Sequence, residues 1–220
     1  MMKLFLVSGF LGSGKTTAIR EACTQMMQEE RKPAVITNDQ GESLVDTAWL
    51  KIPGVHALEV TKGCFCCRFQ ELEERIVLLK EWDPEIIFAE VVGSCADLVA
   101  SVVKPLERHF PEIDIVLSVF ADASMLWPLI NGETFFLSEE VRYIYQKQME
   151  EADIIVLNKG DLLSNDQREK LVTFLKGQYA EKLILVQDST NRNSVQIWTS
   201  VGSRFHKPAE RTSLELDFEK

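Results

Sequence analysis

The stretch that most constrains this chain is GFLGSGKTT at residues 9–17, set directly behind an apolar run, LFLV. It fits the pattern G-x-x-x-x-G-K-[ST] at Gly9, Gly14, Lys15 and Thr16. Glycines at such positions let the backbone wrap round phosphate oxygens with its N–H groups turned inward. A helix that begins there adds the positive end of its dipole. The lysine reaches β- and γ-phosphate oxygens, and the threonine hydroxyl is a ligand for Mg2+. The bland alternative, a glycine turn ahead of a helix, leaves the strand–loop–helix context unexplained.

The rest of the chain repeats that context. Strand-like runs at 3–8, 34–38, 56–60, 86–90, 113–121, 154–157 and 183–186 alternate with helical patterns at 17–29, 71–80, 96–109, 138–151 and 166–178. Most of the runs are apolar on both faces, as strands of a parallel sheet covered on both sides are. Leu72, Ile76 and Leu79 share one helical face, and Ser164 with Gln167 reads as a capping box. The expectation is a three-layer α/β P-loop NTPase: a mostly parallel sheet with helices on both faces. The 220 residues, 45% hydrophobic, suit one domain, placed at 1–205, with a polar C-terminal tail at 206–220.

Three further segments carry chemistry. In IIVLNKGDLL, Asn158, Lys159 and Asp161 follow an apolar run. A carboxylate there accepts from the N1–H and amino group of guanine, whereas adenine offers an acceptor at N1 and repels it. After a phosphate loop, this selects GTP over ATP. In IIFAEVVGSC, Glu90 ends a strand and Gly93 follows three residues on. The carboxylate suits Mg2+ held through water, and the Gly93 N–H suits an oxygen of the γ-phosphate. VITNDQGES sets Asn38, Asp39 and Glu42 at another strand end, where ligands of open α/β sheets gather. Asp39 is a second Mg2+ or water-orienting candidate, and Glu42 and Glu90 also compete to orient the attacking water. A solvated loop acid is the plain alternative for each.

Three of the five cysteines, Cys64, Cys66 and Cys67, fall in KGCFCC. Thiolates are soft ligands for Zn2+ and its neighbours. Three protein ligands leave a fourth tetrahedral position open, which suits a site that loads and unloads. Lys62 and Arg68 are expected to favour the thiolates. Buried apolar cysteines or a redox pair are the alternatives, and Cys23 and Cys95, standing alone, are read as buried core residues.

Taken in order, SGFLGSGKTT, NDQGE, KGCFCC with QELEE, AEVVG, FADA and NKGD resemble the CobW-type GTPases, relatives of the urease and hydrogenase nickel-insertion GTPases. The resemblance runs from about residue 3 to the start of the tail. It implies a Mg2+-dependent, slow GTPase cycling between GTP and GDP. It implies a metallochaperone that binds Zn2+, Co2+ or Ni2+ at C-x-C-C and serves a client metalloprotein. It assigns the nucleotide to Gly12, Ser13, Gly14, Lys15, Thr16, Thr17, Asn158, Lys159 and Asp161, and the metal to Cys64, Cys66 and Cys67. Two segments depart from the family pattern: Asp39 stands where glutamate is common, and Val91 and Val92 replace hydroxyl residues. Three other readings compete: an escort of a cobalamin-dependent enzyme with structural cysteines, a nucleotide-gated binding module with little hydrolysis, and a small-molecule kinase, which would need an ATP preference that Asp161 opposes. A homodimer sharing the ion stays open.

A net charge of −10, from 34 acidic and 24 basic residues, argues against nucleic acid and anionic membranes as partners. The first apolar run is strand-length and no run spans a bilayer, so a cytoplasmic location with reduced thiols is expected.

Overall fold

The computed structural model describes residues 1–39, 52–131, 138–188 and 192–201. Strands β1 (Lys3–Gly9), β2 (Pro33–Asp39), β3 (His56–Thr61), β4 (Ile86–Glu90), β5 (Asp114–Asp122), β6 (Ile154–Asn158) and β7 (Leu183–Gln187) form one sheet. Its order is β3-β2-β4-β1-β5-β6-β7, and every neighbouring pair is parallel. The helices are α1 (Lys15–Gln28), α2 (Phe69–Lys80), α3 (Lys104–His109), α4 (Ala123–Ile130), α5 (Glu139–Glu151), α6 (Asn165–Gln178) and α7 (Arg192–Ser200).

The strands are apolar on both faces because both faces are covered. Along β1, Phe5 and Val7 enter one core with Ile19, Cys23 and Met26 of α1 and Trp198 of α7. Leu4 and Leu6 enter the other, with Leu72 and Ile76 of α2, Leu106 of α3, Met149 of α5 and Leu171 and Leu175 of α6. Alternation along a strand thus divides the helices into two layers. In the first core, Trp198 is fully buried among Phe5, Phe88 and Phe120, with ring centroids 5.1–5.5 Å away. Its indole N–H donates to Ser118 Oγ at 3.0 Å, which satisfies the polar tip that burial would otherwise strand.

Three elements differ from the sequence expectation. The pattern at 96–109 starts late: Asp97 has φ +57°, so the chain enters a wide turn at Val99–Val103 only after it, then α3. Helix α4 went unread because Pro128 lies inside it. Asp122 nonetheless caps it, its carboxylate accepting from Ser124 N–H at 2.9 Å. Helix α7 went unread because its helical signal is short; tertiary packing of Val195 and Trp198 holds it. The expected boundary at residue 205 and the tail fall outside the described residues. Among the described residues, no helix is long and apolar enough to cross a membrane.

Since every pair is parallel, all seven strands end at one edge of the sheet. Their last residues are Gly9, Asp39, Thr61, Glu90, Asp122, Asn158 and Gln187, so the polar residues singled out from sequence meet there.

Candidate functional site: a phosphate loop beside a thiol cluster

Gly9 closes β1 at φ +131°, and a Cβ there would stand 2.2 Å from the Phe120 carbonyl oxygen of β5. No other residue fits that close approach. Gly12 (φ +78°) and Gly14 (φ +94°) bend the loop into the start of α1. No side chain caps α1, and its first turn holds no acid, so its positive end suits an anion. Lys15 is buried and donates to the carbonyl oxygens of Gly9 at 2.9 Å and Phe10 at 3.3 Å. The buried Ser13 Oγ has no hydrogen-bond partner among the described residues. A buried hydroxyl in that condition fits a ligand atom. Thr17, in the first turn of α1, is exposed.

Glu90 ends β4 beside Val7 of β1, and its Oε1 accepts from Thr16 Oγ1 at 2.7 Å. Thus the hydroxyl and carboxylate assigned to Mg2+ converge. The Gly93 backbone lies against the phosphate loop: a Cβ there would stand 2.9 Å from Leu11 N and 3.3 Å from Gly9 O. Gln148 of α5, itself buried, donates to the carbonyls of Gly93 at 3.0 Å and Cys95 at 2.8 Å. Asp39 closes β2, but its side chain and Glu42 lie outside the described residues.

Behind β6 lies the segment expected to read the base. Asn158 is buried and donates to Ser13 O at 2.8 Å, so it braces the phosphate loop. Lys159 adopts φ +58° and donates to Asp122 Oδ2 at 2.7 Å. Burial pushes the Asp122 carboxyl up, but the Lys159 ammonium and the Ser124 hydrogen bonds outweigh it and hold the group below its ordinary value. Asp161 is exposed in a short turn at Gly160–Leu162, available to a base edge. Sequence reasoning missed Asp122, Gln148 and Gln187. The FADA segment carried the only signal for Asp122. Gln187 pairs in register with Asn158, is buried, and has neither amide atom hydrogen-bonded among the described residues.

Behind β3 the chain turns through Lys62 (φ +59°) and Gly63 into the thiol segment. Asn38, one residue before the end of β2, donates to Val60 O at 3.2 Å and Gly63 O at 2.6 Å, fixing this turn to the site edge. Phe65 is fully buried and anchors the loop, while Cys67 is exposed. The sulfurs of Cys64, Cys66 and Cys67 all lie within 4.8 Å of one another. Cys64 is 2.8 Å from Cys66 and 3.2 Å from Cys67, and Cys66 is 4.0 Å from Cys67. In tetrahedral zinc thiolates, with bonds of about 2.3 Å, sulfurs stand about 3.8 Å apart. The Cys66–Cys67 edge already has that scale, and the Cys64 edges must widen by about 1 Å or less. Three soft donors, partly open to solvent, fit a metal that enters and leaves.

Two expectations are corrected here. Arg68 does not serve the thiols: its guanidinium pairs with Glu71 at 3.0 Å. Burial pushes the Cys64 thiol up, but hydrogen bonds from Cys66, Cys67, the Cys67 N–H and Cys95 lower it to about 7. Nor is Cys95 fully buried: it packs against the core at only intermediate burial. Cys23 is fully buried, as read.

A parallel sheet with a phosphate loop at its carboxyl edge, and a base loop two strands away, defines a P-loop nucleotide-binding domain. Residues 3–185 match the family model of the CobW/HypB/UreG nucleotide-binding domain, and the chain belongs to that family. It is 31% identical over 179 residues to the zinc chaperone YeiR of Escherichia coli, covering 78% of this chain and 50% of that one. It is 25% identical over 215 residues to the zinc chaperone CobW of Pseudomonas aeruginosa, covering 84% of this chain and 56% of that one. The chain spans about half the length of these curated relatives. Among solved structures, HypB from Helicobacter pylori in complex with nickel superposes with a TM-score of 0.59 at 17% identity. The match covers 90% of this chain and 83% of that one, and bears on the fold alone.

Proposed function

We propose that this chain is a slow, Mg2+-dependent GTPase that carries a divalent metal on Cys64, Cys66 and Cys67 and passes it to a client metalloprotein. What carries the reading is one juxtaposition: three convergent sulfurs on a loop that Asn38 bonds to the strand edge where the phosphate loop lies. Zinc is the preferred cargo, since thiolates are soft and two relatives bear the name zinc chaperone. Cobalt and nickel remain chemical alternatives.

The residues divide the work. Backbone N–H groups of Gly12 to Thr17 cradle the phosphates. Lys15 exchanges its loop carbonyls for β- and γ-phosphate oxygens. Thr16 and, through water, Glu90 would hold Mg2+, which neutralises charge on the transferring phosphoryl group. The Gly93 N–H reads the γ-phosphate, and Asp161 reads guanine. Asp39, Glu42 and Glu90 are the candidates to orient water for in-line attack. Val91 and Val92 bring no hydroxyl to the reaction, in keeping with slow turnover.

The test is GTP hydrolysis by reduced, metal-free protein with and without one equivalent of Zn2+, alongside a C64S/C66S/C67S variant. A zinc effect on the rate, lost in the variant, supports the reading. Zinc binding unchanged in the variant would sink the metal assignment.

A further inference from the structure

We propose that Gln148 is a positioning residue for the γ-phosphate: it holds the turn that carries Gly93 in the orientation that distinguishes GTP from GDP. The inference rests on the reading above, in which the Gly93 N–H meets the γ-phosphate, and deepens it.

The turn after β4 is short. Val91 N–H donates to Val7 O at 2.9 Å, which carries the contact with β1 one residue further, and Cys95 N–H donates to Val92 O at 3.0 Å. The second bond makes Gly93 and Ser94 the central residues of a β-turn. In such turns the central peptide, here Gly93–Ser94, is the unit whose two orientations separate type I from type II. Packing against the phosphate loop demands a glycine at 93, since a Cβ there would stand 2.9 Å from Leu11 N and 3.3 Å from Gly9 O. The residue that packing demands is therefore the one that restrains its own backbone least.

Gln148 supplies the restraint from outside the turn. Its amide nitrogen donates to Gly93 O at 3.0 Å and to Cys95 O at 2.8 Å. That nitrogen carries two hydrogens, one for each carbonyl. The side chain is 2% exposed, so water has little access to replace either bond. A planar peptide whose carbonyl is held cannot turn over.

Helix α5 is built to hold this turn in place. Tyr145, Gln148 and Glu151 are spaced three apart and share one face. The Tyr145 hydroxyl accepts from Asp122 N–H at 3.0 Å at the end of β5, and its ring lies 6.1 Å from that of Phe10 in the phosphate loop. The Glu151 carboxylate accepts from Leu98 N–H at 3.0 Å and Val99 N–H at 3.2 Å, beyond the turn. One helix thus packs on the phosphate loop and bonds the segment on which Gly93 stands. GDP has no phosphate to meet Gly93, so loosening the turn weakens GTP binding and spares GDP. That asymmetry separates positioning from general stability.

The experiment compares wild type with Gln148→Met and Gln148→Glu. The first keeps the length and removes the donor; the second keeps the shape and sets an acceptor against two carbonyls. Affinities for a non-hydrolysable GTP analogue and for GDP are measured by titration calorimetry on the reduced, zinc-free full chain with Mg2+. Single-turnover GTP hydrolysis is measured alongside. Both variants are expected to bind the analogue about tenfold more weakly, the scale of a buried hydrogen bond lost, with GDP affinity unchanged. Hydrolysis is expected to slow about tenfold or more through misplacement of the reacting phosphate. Melting of the nucleotide-free proteins establishes folding, and Gln148→Met, which brings in no charge, serves if Gln148→Glu does not fold. Equal losses for analogue and GDP, or no loss for either, overturn the inference while leaving GTP binding by wild type standing. Wild type that neither binds the analogue nor hydrolyses GTP overturns the reading on which it rests.

Discussion

Thr16 Oγ1 and Glu90 Oε1 stand 2.7 Å apart, joining the first turn of α1 to the end of β4 across the β1–β4 pairing. In the proposed function these two groups hold Mg2+, Glu90 through water. Thr16→Ala is expected to raise the Mg2+ concentration needed for half-maximal GTP turnover by about tenfold or more. Glu90→Gln is expected to lower kcat by about 100-fold or more with GDP affinity little changed. Steady-state kinetics over a Mg2+ titration, with GDP binding by fluorescence, checks both. Equal Mg2+ dependence in Thr16→Ala and wild type would remove the threonine from the site.

The Asp122–Lys159 pair predicts a pH dependence of stability. Asp122 is held below its ordinary value, so the folded chain binds its proton less readily than the unfolded chain. Its contribution is complete above the ordinary carboxylate value of about 4 and is lost as pH falls through its lower folded value. Asp122→Asn is expected to cost about 1–2 kcal/mol at pH 7, a charged hydrogen bond reduced by the partial exposure of Lys159. The wild-type advantage should then shrink as pH falls below about 4. Urea unfolding of both proteins across that range tests the sign.

Trp198 closes the core beneath β1, β4 and β5 through three phenylalanines. Trp198→Ala is expected to cost about 3–5 kcal/mol, and Trp198→Phe less, because it keeps the apolar contact and loses the bond to Ser118. Urea midpoints at constant slope provide the measurement. A cost below about 1 kcal/mol for the alanine variant would mean α7 does not hold the sheet.

Cys64, lowered to about 7, is expected to be the first thiol alkylated by iodoacetamide in metal-free protein. Its rate should rise between pH 6 and 8 with a midpoint near 7, while Cys66, pushed up to about 12, lags behind it. One equivalent of Zn2+ should protect both. Peptide mapping after brief labelling identifies the order, and Cys66 reacting first would contradict it.

Gly93→Ala tests the contact between the γ-phosphate reader and the phosphate loop. The added methyl meets Leu11 N at 2.9 Å, a backbone atom that cannot rotate away. GTP turnover is expected to fall about tenfold or more, more than GDP affinity, because GDP lacks the phosphate that Gly93 is proposed to read. Equal losses for both nucleotides would point to general distortion of the loop.

Much of the fold was legible in the sequence because its signals are local. The apolar runs located all seven strands, since strands covered on both faces need apolar residues at every position. The phosphate-loop glycines were legible for a related reason: left-handed backbone and close approach to Phe120 admit little else. The placements of Lys15, Thr16 and the three adjacent thiols followed from spacing alone.

What only the tertiary structure decided depends on residues far apart in the chain. Asn158 braces Ser13, 145 positions away, instead of standing only beside a base. Gln148 carries no motif, and its role exists only because α5 packs across the turn after β4. Asn38 reads only as the polar end of a strand until the parallel order sets β2 beside β3, where its amide bonds the Gly63 carbonyl and fixes the turn that carries the thiols. The sequence by itself determined which reactive side chains and permissive glycines this chain carries and where along it they fall, because side-chain type and backbone permissiveness are local properties. The tertiary structure decided which of those groups act together, because one all-parallel sheet gathers the ends of its strands at a single edge.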